Sequence, residues 1–108
     1  MPEHLPNLTG LGRFAEPSLL ILASLAGGPK HGYAMMEDIA RMSGVRLGPG
    51  TLYGALARLE RRHLIEPLAA EDRRRPYRLT GVGAAALGEQ LRSLASFATT
   101  GLERLATS

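Results

Sequence analysis

The side chains best suited to binding chemistry lie in two neighbouring segments of the chain. Residues 44–59 read GVRLGPGTLYGALARL, and a second segment contains three consecutive arginines at positions 73–75. Proline is favoured at the first position of a helix and glycine is accepted just before it, so the pattern predicts a helix that begins at Pro49. Arginines on and beside such a helix are suited to contacts with phosphate groups.

The predicted helix has one apolar side and one side that is small and basic. The apolar side consists of Leu52, Ala55, Leu56, Leu59 and His63. The opposite side consists of Gly50, Gly54, Ala57, Arg58 and Arg61, with Thr51 and Tyr53 on the flanks. Small residues at its start let a helix approach a groove closely, and basic residues near its end favour a phosphate-lined one. The pattern is typical of a helix that reads DNA.

Positive charge is concentrated in the same part of the chain. Residues 41–78 hold nine arginines and four acidic residues, a net charge of +5, whereas the remainder carries −2. Clustered arginine on one structural unit indicates a binder of polyanions. The alternative is a basic face that is merely solvated.

Catalysis and metal binding are not expected. The chain has no cysteine, its three histidines share no metal-ligand spacing, and its glycines are not followed by the lysine at the spacing that a phosphate loop needs. Its longest apolar run, residues 19–26, is far shorter than the roughly 20 residues that span a bilayer. The first ten residues do not resemble a signal peptide. We therefore expect a cytoplasmic protein without a cofactor, a metal or a membrane contact.

Proline, glycine and the period of the apolar residues divide the chain into elements. The pattern predicts a mainly α fold with a small β-hairpin, namely a winged helix-turn-helix followed by a long C-terminal helix. The predicted parts are a flexible arm at 1–12, a DNA-binding domain at 13–80 and a terminal helix at 81–108. Within the domain we expect helices at 17–26, 32–43 and 49–63 and strands at 64–68 and 76–79.

The terminal helix carries an apolar stripe that stays in phase over 18 residues, roughly 27 Å. A winged domain of this size cannot easily cover that length, so we expect the helix to pack across a twofold axis; the alternative is a helix folded back on its own domain. The stripe consists of Leu87, Leu91, Leu94, Ala98, Gly101, Leu102 and Leu105, and the predicted dimer interface also includes Phe14, Leu19 and Phe97.

Over residues 17–85 the chain resembles the PadR family of bacterial transcriptional regulators. The motifs HGY at 31–33, PGTLY at 49–53, RLE at 58–60 and YRLT at 77–80 occur in the family's order and spacing. The resemblance implies a homodimer of the compact subgroup, with one C-terminal dimerisation helix, that represses by occupying an operator. It also implies that a small aromatic or cationic effector is a candidate ligand at the dimer interface, regulation by abundance alone being the alternative.

The predicted contacts to double-stranded DNA come from three elements. The second helix of a helix-turn-helix crosses the DNA backbone, the third enters the major groove, and the wing reaches the minor groove or its phosphates. The predicted residues are Lys30, Tyr33, Pro49, Gly50, Thr51, Tyr53, Gly54, Arg58, Arg61, Arg73, Arg74 and Arg75. There are three alternatives. Tyr53 could be a core ring, and Lys30 and Tyr33 could be merely exposed. The domain as a whole could be a module that docks on a protein partner instead of an operator.

Overall fold

A computed structural model describes residues 16–108 as four helices and three short strands. In chain order they are α1 (Pro17–Ala26), β1 (Lys30–His31), α2 (Gly32–Ser43), α3 (Pro49–Arg61), β2 (Ile65–Pro67), β3 (Pro76–Leu79) and α4 (Gly81–Thr107). The predicted winged helix-turn-helix with a long C-terminal helix is confirmed. Phe14 and the predicted arm at 1–12 lie outside the described residues.

The core is built around α1, which is apolar on nearly every side. Six of its ten residues are buried, and it packs against α2, α3, α4 and β3. Burying each large aliphatic side chain contributes about 1.5–3 kcal/mol, so this helix accounts for much of the stability of the domain. The fully buried side chains that surround it are Met35, Ile39, Leu52, Leu56 and Ile65.

The sheet has one strand more than the predicted hairpin. Its order is β1-β3-β2, and both pairs are antiparallel. Lys30 pairs with Tyr77 and His31 with Pro76, so the segment before α2 extends the wing. A strand of two residues is too short for alternation of polar and apolar side chains to reveal, which explains why the sequence pattern misses it.

Helix α3 ends at Arg61, two residues before the predicted end. The N–H of His63 donates to the Glu60 carbonyl and the N–H of Leu64 to the Leu59 carbonyl, each at 3.0 Å. This pair of bonds is a Schellman motif, and it places His63 in the left-handed region with φ of 61°. Histidine stands where glycine is usual, so the sequence signal for the end of the helix is weak.

Candidate nucleic-acid interface

The first turn of α3 is clear of the rest of the domain. Pro49, Gly50 and Thr51 are exposed, whereas Leu52 is fully buried and fastens the helix to the core. A side chain added at Gly50 would meet no described atom within 4 Å. The backbone of this turn is therefore free to approach a ligand surface directly.

The rest of α3 has the apolar side and the small, basic side that the sequence predicts. The exception is His63, which is exposed beyond the end of the helix. Ala55, Leu56 and Leu59 face the core. Gly54 is half-buried, and Arg58 and Arg61 are exposed. Both guanidinium groups lie in the last turn of the helix, where a cation also interacts favourably with the helix dipole.

The wing, which is the hairpin formed by β2 and β3, ends in a tight two-residue turn. The N–H of Glu71 donates to the Arg74 carbonyl at 2.6 Å, and the N–H of Arg74 donates back at 2.8 Å. Asp72 and Arg73, between them, have φ of 47° and 70°, as in a type I′ turn. Arg73 and Arg74 thus stand exposed at the tip, while the Arg75 guanidinium donates to the Leu68 carbonyl at 2.9 Å and braces the loop.

Residues from α2, α3 and the wing line one cleft. Tyr33 at the start of α2, Tyr53 on α3 and the arginines at 73–75 surround it. The two tyrosine side chains are largely exposed, Tyr33 at 65% and Tyr53 at 51%. Tyr53 is therefore a surface residue rather than a core ring. The structure brings together predicted residues that are distant in the sequence.

Gly32 is a member of this cleft that the sequence prediction missed. A Cβ at Gly32 would lie 2.9 Å from the Cζ atom of Tyr53, so only glycine lets the ring rest against the start of α2. The neighbouring His31 caps that helix by accepting the N–H of Ala34 on Nδ1 at 3.4 Å. The HGY motif contains both residues, but a contact with a ring 21 positions later has no local signal.

Tyr77 closes the inner side of the cleft. Its partial burial, together with the negative charge of Glu60, raises the pKa of its hydroxyl above the ordinary value of 10.0, although Arg75 acts in the opposite direction. The hydroxyl is therefore protonated at neutral pH and is available as a hydrogen-bond donor.

Lys30 is placed differently from the prediction. Its ammonium group donates to the carbonyls of Ser24 and Gly28 at 2.5 and 3.2 Å and lies 3.8 Å from the Asp38 carboxylate. Asp38 in turn accepts a 2.7 Å bond from the buried Ser24 hydroxyl. These contacts fasten the end of α1 to α2, so Lys30 is turned inward and we leave it out of the DNA surface proposed below.

The predicted interface residues on and near α4 divide into two groups. Leu19 and Leu87 are buried in the core of the single chain, and Leu94 packs against that core. Leu91 is partly exposed, and beyond Leu94 the large apolar side chains are exposed, Phe97 at 77%, Leu102 at 68% and Leu105 at 73%. We call Phe97, Ala98, Leu102 and Leu105 the distal face of α4.

The described residues bear on metal binding and on membrane crossing. Within residues 16–108 no group of three histidine or acidic side chains could hold a metal ion. Over the same range, no helix combines the length and the apolar character needed to cross a membrane.

Comparison with known proteins assigns the chain to a family. The sequence profile of the "Transcriptional regulator PadR-like family" matches residues 21–89. A protein of Streptomyces fradiae described as "Uncharacterized 37.1 kDa protein in transposon TN4556" is 48% identical over 83 residues, which make up 77% of this chain and 24% of that protein. "Transcriptional regulator Rv3488" of Mycobacterium tuberculosis is 41% identical over 87 residues, 78% of this chain and 80% of that protein.

The chain thus spans about a quarter of the first relative and four fifths of the second. The X-ray structure of a PadR-like transcription factor from Bacteroides fragilis is similar, with a TM-score of 0.71, 25% identity and coverage of 88% of this chain and 95% of that chain. The structural similarity, the family profile and the Mycobacterium relative all indicate a transcriptional regulator. The chain belongs to the PadR-like family of transcriptional regulators.

Proposed function

We propose that the protein is a homodimeric repressor that binds an inverted-repeat operator, with α3 of each protomer in a major groove and the wing against the neighbouring phosphates. The observation that supports this best is the cleft that joins Tyr33, Tyr53 and the wing arginines beside the exposed first turn of α3. Phosphate contacts fix the register of a protein on the duplex, and base contacts on the helix provide the selectivity.

We call the residues proposed to contact DNA the reading surface, and different residue types in it have different roles. Pro49, Gly50 and Gly54 keep α3 narrow, so that Thr51 and Tyr53 reach base edges or adjacent phosphates. Tyr33 reaches the backbone from α2. Four exposed guanidinium groups, those of Arg58, Arg61, Arg73 and Arg74, bind phosphates, and Arg75 supports the wing through its bond to Leu68.

Dimerisation is proposed to occur through the distal face of α4. Its large side chains are mostly exposed in the single chain. Exposed apolar surface of this kind usually marks an interaction site. A second copy presents the same apolar stripe, and a twofold arrangement covers both stripes with identical contacts. Such a dimer also presents two copies of α3, which an inverted repeat requires.

Repression, as opposed to activation, rests on the resemblance to the family. The same resemblance supports a small aromatic or cationic effector at the dimer interface, where Phe97 is the exposed aromatic side chain of α4. Such a ligand acts only if it binds the free and DNA-bound geometries with different affinities. Titration of phenolic compounds and apolar cations against the protein–operator complex tests this: compounds that bind the protein but leave operator affinity unchanged are not effectors.

Salt dependence of DNA binding tests the proposed phosphate contacts. The operator half-site is first selected from randomised duplexes, and affinity is then measured by fluorescence anisotropy over a range of salt concentrations. Each phosphate contact contributes about 0.9 to the slope of log K against log salt, so R73A/R74A should reduce the slope by about 1.8 per protomer. The operator and random DNA should lose affinity to a similar extent, because these contacts carry little sequence information.

The control is R92A, which removes one exposed arginine of α4 outside the proposed reading surface and should leave the slope unchanged. A slope reduced by R92A about half as much as by R73A/R74A would show only a general effect of net charge. Binding of duplex DNA that does not respond to salt would instead favour a winged helix that docks on a protein partner.

A further inference from the structure

The end of α3 and the start of α4 meet at a short junction held by hydrogen bonds. The Schellman motif fixes the backbone of His63 and Leu64 to the last turn of α3. The carbonyls of these two residues then face the first residues of α4. This junction connects the helix proposed to read DNA with the helix proposed to form the dimer.

Thr80, the N-cap of α4, is bonded to both carbonyls. Its hydroxyl donates to the His63 carbonyl at 2.6 Å, and its backbone N–H donates to the Leu64 carbonyl at 3.2 Å. The same hydroxyl accepts the N–H of Gly83 at 3.0 Å. One side chain therefore caps α4 and attaches it to the end of α3.

Gly83 allows the two segments to touch. A Cβ at this position would overlap the Leu64 carbonyl oxygen and would lie 2.8 Å from the carbonyl carbon. The obstacle is backbone that Thr80 and the Schellman motif already hold, so it cannot rotate away as a side chain would. Gly81, two residues earlier in the same turn, has no described atom within 4 Å of its Cβ position.

We propose that Thr80 and Gly83 are positioning residues that set the angle between α3 and α4 and thereby the separation of the two α3 helices in the dimer. The inference rests on the proposed homodimer. Helix α4 has 27 residues and is about 40 Å long, so a tilt of about 5° at its start moves its far end by about 3.5 Å. That displacement is close to the 3.4 Å rise of one base pair. The junction therefore determines which half-site spacing the dimer accepts.

The test is a spacing profile on duplex DNA. Half-sites selected with the wild-type protein are placed in inverted orientation, and their centre-to-centre distance is changed one base pair at a time. Wild type and G81A should share one sharp optimum. T80V loses two hydrogen bonds, so its affinity at the best spacing should exceed its affinity at adjacent spacings by about tenfold less than in wild type. T80S retains the hydroxyl and should behave as wild type. G83A should move or broaden the optimum, while affinity for an isolated half-site stays unchanged in all variants.

Because G83A is the variant most able to prevent folding, its profile is interpreted only if it unfolds cooperatively on heating, and T80V is interpreted in either case. An unchanged spacing profile in T80V, or in folded G83A, overturns the role of that residue. A loss of affinity that is equal at every spacing also contradicts the proposal, because it indicates a purely structural effect.

A second measurement separates this inference from the proposed dimer. The chain has no native cysteine, so A57C on α3 and S96C on α4 can carry a pair of spin labels. After dilution with unlabelled protein, wild type and G81A should show one narrow distance distribution, and T80V a broader one. A wild type without any spacing preference contradicts the proposed dimer, whereas identical distributions in wild type and T80V overturn the proposed junction.

Discussion

The reading surface and the distal face of α4 are both exposed, but they present opposite chemistry. The first turn of α3 offers glycine, proline and threonine, with exposed guanidinium groups further along α3 and at the wing tip. The distal face offers Phe97, Leu102 and Leu105 on the part of α4 that extends beyond the core. The reading surface suits a polyanion, whose binding weakens as salt is added. The distal face suits a second apolar stripe, whose burial responds to protein concentration instead.

A further contrast lies within the apolar elements. Helix α1 is covered by its own domain, and its leucines are buried. The distal part of α4 also carries large apolar side chains, arranged along one stripe, but has no described element packed against it. Apolar periodicity therefore predicts that a face will be covered without saying which chain covers it. Exposure in the single chain distinguishes the two cases.

The largest effect is expected from breaking the distal face. L102D/L105D would place unpaired carboxylates in an apolar interface, which costs several kcal/mol. Sedimentation should show a monomer with a retained helical spectrum, because neither leucine belongs to the core. Operator affinity should fall about 10²- to 10⁴-fold, since the second half-site no longer binds as part of one molecule.

The matched control is S96D/T100D, which adds the same charge on the side of α4 that faces away from Leu102 and Leu105 and borders only Phe97 of the distal face. It should remain dimeric and lose only a little affinity. A dimeric L102D/L105D would show that the distal face packs elsewhere. The pair Leu91 and Leu94 is a poorer choice for this test, because Leu94 packs against the core of its own chain and a charge there would also destabilise the domain.

An intermediate effect is expected from the reading surface. Y53F and T51V each remove a hydroxyl from a side chain that is exposed on α3, so neither should change the thermal stability much. A specific contact contributes about 1–3 kcal/mol, so affinity for the operator should fall about tenfold, while affinity for random DNA changes less. Competition binding with both duplexes measures the difference. Equal losses on the two would mean that other residues read the sequence.

Much of this architecture could be predicted from the sequence, because proline and glycine mark its boundaries. Pro17 and the Gly27-Gly28-Pro29 run bound α1, and Gly44 with φ of 77° ends α2. The positions that escaped prediction depend on contacts across the fold. Strand β1 exists only because β3 lies beside it, and Lys30 turns inward because Ser24 and Asp38 meet there.

The smallest effect is expected at the junction between the two surfaces. H63G should stabilise the domain by about 0.5–1 kcal/mol, because glycine adopts the left-handed conformation of residue 63 without steric cost. Chemical unfolding measures the change, and H63A serves as the comparison that keeps the strain. Neither variant should alter the salt slope or the dimer equilibrium. A destabilised H63G would show that the imidazole itself makes a needed contact.

The central claim is that two copies of α3, held by the distal faces of α4, read an inverted repeat. Hydroxyl-radical footprinting of the purified protein on its selected duplex tests this most directly. The account predicts two symmetric protected segments whose centres lie about 34 Å apart, one helical turn of DNA, and the loss of both at the same protein concentration in L102D/L105D. A single asymmetric segment, or a footprint that L102D/L105D leaves unchanged, would contradict it.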